Sequence, residues 1–303
     1  MKGKIYVTGA SGRLGREVLA QIPEAIPLVR TSHGLKNEIV TGFSADELPS
    51  VLKDASAIIH LAASRDFLDW KKSREGNVYL TYQLVDAAPK SAKIIFSSSI
   101  SVYGKKLANM PANESSHTHP DTPYARTKLE AELIVAKHPS HVILRIGPIY
   151  GPGFEEYFNV LSRLKDGKMR IIGSGENHIP FVHVSDVVAA MKNALTQGQG
   201  KYVLVGECLT QKEIFEIASK ELSVEPPQKH VNALLASAYA RFGLIRSSLF
   251  GGKPKFIPED IAVLSSDRVF DCSRAKKELG FSPRPVAQGI REMVQAMNKA
   301  YKF

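Results

Sequence analysis

A chain of 303 residues with 44% hydrophobic content is long enough to bury a full doubly wound core and leave residues for a second lobe. Its two cysteines, Cys208 and Cys272, lie far apart in sequence, which supports neither a disulfide framework nor a CxxC metal pair and points to a cytoplasmic protein. The formal charge of +10 is uneven, since residues 229–303 carry thirteen Lys/Arg against six Asp/Glu. Such a surface concentrates anions, whether a phosphorylated substrate or a membrane. Without an aromatic-interleaved basic run or zinc-finger spacing, nucleic acid is not an expected partner.

Residues 4–8, Lys-Ile-Tyr-Val-Thr, predict the first strand. It runs directly into Thr8-Gly9-Ala10-Ser11-Gly12-Arg13-Leu14-Gly15 and a helix predicted over 15–21, the context that a phosphate-binding turn requires. The glycines at 9, 12 and 15 also break the apolar run too early for a signal peptide or a membrane span. Gly9 allows a tight turn, Gly12 lets the backbone approach a pyrophosphate, and Gly15 lets helix and strand pack closely. Ser11, Arg13 and Leu14 lie at the helix N-terminus, which offers free N–H donors. The second strand, 26–29, is followed by Arg30-Thr31-Ser32, where a site for NAD usually presents Asp or Glu to the ribose. A guanidinium complements a 2′-phosphate, with Arg13 and Ser32 as further donors, so NADP is expected in preference to NAD.

Strands predicted over 57–61, 93–97 and 141–146 alternate with helices over 46–52, 75–88 and 123–137, whose apolar residues fall three and four apart. The alternation predicts a doubly wound α/β domain on a buried parallel sheet. After Gly151-Pro152-Gly153 the pattern loosens into helices at 155–165, 184–195, 211–222 and 231–242, and a run at 201–205 reads as a returning strand. The expected division is a dinucleotide-binding domain, 1–150 with 181–206 returning to it, and a smaller, interleaved C-terminal substrate lobe, 151–180 and 207–303.

Thr122-Pro123-Tyr124-Ala125-Arg126-Thr127-Lys128 places Thr122 as N-cap and Pro123 at the first helical position, so Tyr124 and Lys128 share one face. A phenol is a poor base at neutral pH, but a neighbouring ammonium favours phenolate and brings proton transfer within range. Tyr and Lys four apart are common on any helix surface; the serine cluster Ser97-Ser98-Ser99 at the C-terminal end of a buried strand gives the pair its meaning. Ligands of open α/β sheets bind at that edge, and a hydroxyl there can pair with Tyr124 on a developing oxyanion.

Taken together, these segments resemble the extended short-chain dehydrogenase/reductase family, also described as NAD-dependent epimerase/dehydratase enzymes. The resemblance further includes His60-Leu61-Ala62-Ala63, Asn77, Ser97 to Gly104, Leu144-Arg145, Tyr150 to Gly153, Phe181-Val182-His183-Val184-Ser185-Asp186 and Lys277-Glu278-Leu279-Gly280-Phe281. It implies a Rossmann-type core with Tyr124 as general acid/base, Lys128 also holding the nicotinamide ribose, and Ser99, five residues before Gly104, as the catalytic hydroxyl. It implies that Leu61, Ala62, Ala63, Asn77 and Ser97 line the cofactor cleft, that Arg65 joins Ser99 and Tyr124 at the substrate, and that no metal takes part. Helices 75–88 and 123–137 would pair across a two-fold in a homodimer.

The chain departs from the nucleotide-sugar members of that family. They carry an Asn after the Leu-Arg strand and an Arg before the Phe-Val-His segment, where Pro148 and Ile179 stand here. Neither supplies side-chain donors to a diphosphate, which shifts the expectation toward a reductase or dehydrogenase exchanging hydride between NADP(H) and a secondary alcohol or ketone. An epimerase that retains its cofactor is the alternative. A dehydratase would need an acid/base pair that Ile100-Ser101 beside Ser99 lacks, and a non-catalytic dinucleotide-binding protein would have no use for Ser99, Tyr124 and Lys128. The apolar helix around 231–250 reads first as core packing, with a lipophilic pocket or a membrane-resting helix as alternatives. His183 and Asp186 are expected to fix the junction between lobes.

Overall fold

The computed structural model describes residues 3–64, 70–250 and 258–300; Arg65 lies outside them. Strands β1 (Lys4–Thr8), β2 (Ile26–Val29), β3 (Ile39–Val40), β4 (Ala55–His60), β5 (Lys93–Ser99), β6 (His141–Ile146) and β7 (Gly200–Leu204) form one parallel sheet. Their order is β7-β6-β5-β4-β1-β2-β3. The inner strands alternate strictly between two buried faces. Ala57, Ile59, Ile95, Val142 and Leu144 point to one core, and Ile58, Ile94, Phe96 and Ile143 to the other, so each strand reads as a continuous apolar run because both faces are covered.

The chain winds outward from β1 through β2 to β3, then returns to place β4 against the other side of β1. This reversal opens a crevice at the C-terminal ends of β1 and β4, the place where open α/β sheets bind ligands. After β6 the chain leaves the sheet and comes back as β7, in register with β6 from Gly200↔Val142 to Leu204↔Ile146.

A separate apolar cluster joins Phe158 and Leu161 of the helix Glu156–Lys165, Phe215 of the helix Gln211–Leu222, and Ile290, Met293 and Met297 of the helix Val286–Ala300. Residues 270–281, expected with this outlying part, pack elsewhere: Phe270, Cys272, Ala275, Leu279 and Phe281 belong to the core of the sheet. Burial of that aromatic and aliphatic set against β7 outweighs its position in the sequence. Asp186 reaches across to Arg284, accepting its backbone N–H and its Nε at 2.9 Å each, and Arg284 also pairs with Glu292 at 2.8 Å.

Three differences from the sequence pattern have local causes. β3 is a two-residue edge strand, too short for periodicity to register. β5 runs on through Ser98 and Ser99 because β6 supplies ladder partners at Arg145 and Ile146, overriding the low strand preference of serine. The helix expected to begin at Glu75 is already helical at Trp70–Arg74 and passes through a π-turn, Glu75–Tyr79, into Leu80–Ala87; the extra residue shifts the apolar phase between its halves.

The glycine turn shows which glycines the fold itself requires. A Cβ on Gly15 would lie 2.3 Å from the Gly9 carbonyl oxygen and 2.6 Å from Ala10 Cα, whereas on Gly12 its nearest neighbour is that oxygen at 3.2 Å. Gly9 has φ +69° and would meet Ala62 backbone at 2.7 Å. Gly15→Ala is therefore expected to destabilise the protein by about 2–3 kcal/mol, and Gly12→Ala to stay within about 1 kcal/mol of the parent. Urea unfolding of the two variants checks this; equal losses would contradict it.

Candidate active site

A cleft of about 930 Å³ starts at the glycine turn, passes Leu61–Ser64 and reaches Ser99, Tyr124 and Lys128. At its first end the helix Arg13–Gln21 begins after Gly12 with no side chain capping it, so the leading N–H groups face the cleft as an anion site. Past β2 the wall includes Arg30, Thr31 and His33. Two expected donors have partners within the chain, Arg13 on the cleft wall itself. Arg13 pairs with Glu156 and lies 4.4 Å over the Phe154 ring, and the Ser32 hydroxyl donates to Glu38. Glu38 also accepts the backbone N–H groups of His33, Gly34 and Leu35 at 3.0–3.1 Å. The Ser32 and backbone hydrogen bonds lower its pKa to about 2. Arg30 is the cation that this loop leaves exposed at the cleft.

Directly beneath the cleft, hydrogen bonds of one sense cross from β1 to the π-turn. Ala62 N–H donates to Thr8 Oγ1 at 3.2 Å, Thr8 Oγ1 meets His60 Nδ1 at 2.7 Å, and His60 Nε2 meets Thr81 Oγ1 at 2.9 Å. Because the Thr81 hydroxyl donates its one proton to the Asn77 carbonyl at 2.5 Å, His60 must donate from Nε2 and accept at Nδ1. Full burial, with Lys128 nearby, lowers the His60 pKa to about 3 and keeps the ring neutral for this role.

Asn77, expected to line the cofactor cleft, is instead buried behind it. Its Oδ1 accepts the Ser64 N–H at 2.7 Å, and its Nδ2 donates to the Ser64 carbonyl at 3.1 Å and to Thr127 Oγ1 at 2.9 Å. A side-chain amide carries both a donor and an acceptor and so can clamp both polar atoms of a backbone unit at once. Gly76 makes the approach feasible, since a Cβ there would sit 2.7 Å from that of Ser64. Asn77 thus positions the loop 61–64 and ties it to the helix that carries Tyr124.

That helix, Pro123–Val135, starts as its sequence predicts: Thr122 Oγ1 accepts the Ala125 N–H at 3.1 Å, and Pro123 stands at the first turn. Tyr124 and Lys128 face the same cleft as Ser99. Ser99 Oγ accepts the Ser101 N–H at 3.1 Å, a bond that uses a lone pair and leaves the hydroxyl proton for a ligand. Ser97, on the cleft wall, accepts at its carbonyl from Lys128 Nζ at 2.6 Å. Lys128 is buried, its Nζ lying 4.5 Å over the Phe96 ring. Burial lowers its pKa to about 7, with Glu132 opposing the shift.

Glu132 is the residue that the sequence pattern passed over. One turn beyond Lys128 and fully buried, it accepts from Ser98 Oγ at 2.6 Å and from Arg145 at 2.7 and 3.0 Å. Arg145 in turn donates to Tyr103 Oη at 2.8 Å, and Tyr103 to the Asn113 carbonyl at 2.7 Å. Burial works against the Arg145 charge, but the bonds to Glu132 and Tyr103 outweigh it and raise its pKa. The four-residue spacing of Lys128 and Glu132 was the available signal, although it usually marks a solvent-exposed pair.

Arg268 is the second unforeseen group. It is buried at the cleft wall, and among the described residues its Nε has no hydrogen-bond partner. Burial lowers its pKa to about 10, with Asp121 opposing. Its backbone N–H donates to the His178 carbonyl at 3.3 Å, next to Ile179, which is itself buried in a two-stranded pairing with Leu209. A guanidinium therefore does enter the cleft beside the place where the sequence lacks one, from a different element. In sequence Arg268 is only another member of the basic C-terminal quarter.

Comparison with known proteins gives a match to the model of the NAD dependent epimerase/dehydratase family over residues 5–206. The chain is 26% identical over 293 residues to the 3beta-hydroxysteroid-dehydrogenase/decarboxylase isoform 1 of Arabidopsis thaliana, covering 87% of this chain but 65% of that one, just under two thirds of its length. It is 25% identical to the decarboxylating sterol-4-alpha-carboxylate 3-dehydrogenase of Mus musculus, covering 99% of this chain and 92% of the relative. In fold it is similar to the Bordetella bronchiseptica enzyme WbmG, solved in complex with NAD and UDP, with a TM-score of 0.76 at 20% identity over 99% of this chain and 96% of that one.

Replacing Glu132 by Ala would leave Arg145 buried without its carboxylate. It is expected to cost about 3–5 kcal/mol, with Glu132→Gln losing less because the amide still accepts from Arg145. Denaturant unfolding measures both; a loss below about 1 kcal/mol for Glu132→Ala would mean that the pair behaves as a solvated one.

Proposed function

The chain belongs to the NAD-dependent epimerase/dehydratase family, and on that footing we propose that it exchanges hydride between the nicotinamide of NADP(H) and a secondary alcohol or ketone bearing an anionic group. The observation that carries the reading is a single cleft joining an uncapped helix N-terminus to Ser99, Tyr124 and Lys128. The donor set suits a dinucleotide: Gly12 is less tightly enclosed by the fold than Gly9 or Gly15, and N–H groups at the start of the uncapped helix suit a pyrophosphate. When bound, the dinucleotide supplies or accepts the hydride. Tyr124 gives or takes the proton at the substrate oxygen, Ser99 donates a hydrogen bond to that oxygen, and Lys128, held by the Ser97 carbonyl, stabilises the negative charge that Tyr124 carries between turnovers.

Arg268 supports the anionic group. A buried guanidinium with an unused Nε is costly for the fold and gains its return from a carboxylate or phosphate. The same residue favours a second reading, an epimerase that keeps its cofactor and grips a nucleotide diphosphate, since it restores the cation that Ile179 cannot provide. The aromatic and aliphatic surface of the helix pair around 75–88 and 123–137, with Tyr79, Tyr82 and Leu133 each more than half exposed, supports assembly as a homodimer. In this reading residues 1–150 with β7 hold the cofactor, and the cluster around Phe158 and Met293 backs the substrate side.

Mass spectrometry of the purified protein identifies what it retains; a tightly held cofactor would favour the epimerase reading. With a hydroxy acid or ketone so identified, Tyr124→Phe is expected to lower turnover by roughly 10²–10⁴-fold with cofactor binding intact, and Arg268→Met to raise KM while stabilising the unliganded fold. A Tyr124→Phe protein that turns over normally sinks the assignment. For the cofactor, NADPH is expected to bind at least about tenfold more tightly than NADH, a preference that Arg30→Ala erases; equal affinities in the parent protein would refute it.

A further inference from the structure

The helix Ala233–Phe250 is built with its small residues inward. Ala233, Ala236 and Ala240, at spacings of three and four, pack against Ile172, Ile261 and Leu264. Of its large apolar side chains, Leu234 80%, Leu235 67%, Tyr239 64% and Phe242 65% are exposed. This corrects the expectation of a core-packed helix. Leu235, Tyr239, Phe242 and Arg246 follow one another at four, three and four residues, so they form one stripe opposite the alanines. Contiguous apolar surface of this kind marks a site of interaction.

Charge selects the partner. From residue 226 to residue 258 the sequence contains five Lys/Arg and no Asp or Glu, and Arg241 and Arg246 are exposed on the helix itself. Pairing two copies through this face would bring Arg241 and Arg246 of each copy toward the same arginines of the other. An anionic lipid surface accepts both features, because apolar side chains sink to the acyl boundary while arginines remain at the headgroups. Among the described residues no helix is long and apolar enough to cross a membrane, which fits a helix lying on the surface.

We propose that the helix Ala233–Phe250 docks this protein peripherally on an anionic bilayer, Leu235, Tyr239 and Phe242 inserting and Arg241 and Arg246 engaging lipid phosphates. The helix packs through Ala240 against Ile261 and Leu264, and Leu264 lines the catalytic cleft, so the docked face lies one helix away from the site. The proposal does not depend on the identity of the reaction.

The test is co-sedimentation of the full chain with vesicles of phosphatidylcholine alone or with roughly 30% phosphatidylserine, at low and physiological salt. The parent protein is expected to partition onto the anionic vesicles. Leu235→Ser with Phe242→Ser, and separately Arg241→Gln with Arg246→Gln, are each expected to weaken partitioning about tenfold with unfolding midpoints unchanged, since all four side chains are exposed. The proposal is overturned if the parent ignores anionic vesicles. It is equally overturned if the serine variant binds them as well as the parent does, which would mean electrostatic adsorption only. A sedimentation-velocity shift from dimer to monomer in the serine variant, with no vesicle binding by the parent, would assign the face to a second copy.

Discussion

The buried pair of Glu132 and Arg145 is the interaction on which the arrangement of the site depends. Two cations, Arg145 and Lys128, are buried beside one carboxylate, and Glu132 spends its oxygens on Arg145 and Ser98. It thereby joins the helix Pro123–Val135 to β5 and β6 by charge-assisted bonds and holds Lys128 against the strand end. Burial makes Lys128 bind its proton weakly, and the nearby Glu132 only partly offsets that effect. The environment that positions the ammonium also leaves it in need of a negative neighbour.

A second constraint comes from the reversal of strand order between β1 and β4. It creates a crevice, and backbone at a crevice has polar groups that must be satisfied without filling it. The relay from Ala62 through Thr8, His60 and Thr81 to Asn77 does this from below. Every donor and acceptor in it has a single consistent direction, which fixes the His60 tautomer without any titration. Asn77 then carries the order on to Ser64 and Thr127, so the loop that walls the cleft is tied to the helix that bears Tyr124. The π-turn at Glu75–Tyr79 is the backbone irregularity that sets Gly76 and Asn77 against that loop.

Among the described residues, cations with no ion pair recur at the features proposed to be functional: Lys128 beside Tyr124 at the cleft, Arg30 after β2, Arg268 on the cleft wall, and Arg241 and Arg246 on the helix Ala233–Phe250. Burying Arg268 with an unused Nε costs stability, as does exposing Leu234 and Phe242 to water. Such costs concentrate at sites whose partners come from outside the chain.

The sequence by itself determined the sheet, the glycine turn and the N-cap of the Tyr124 helix, because these depend on local rules. Strand periodicity, glycine at a close helix–strand contact, and Thr-Pro at a helix start are all written within a few adjacent residues. It likewise placed the serine cluster 97–99 at a strand end and Tyr124 and Lys128 on one helix face, and the family resemblance singled out Ser99. Only the tertiary structure decided that Asn77 serves the loop rather than the cleft, that Ser32 and Arg13 are already engaged, that Arg268 stands beside Ile179, and that residues 270–281 rejoin the sheet. Each of those outcomes turns on which side chains meet across separations of up to about a hundred and fifty residues. The apolar helix at 233–250 makes the same point from the other side. Its composition alone is that of a core helix, and whether its large residues face protein or solvent depends on the alanines that were chosen for contact.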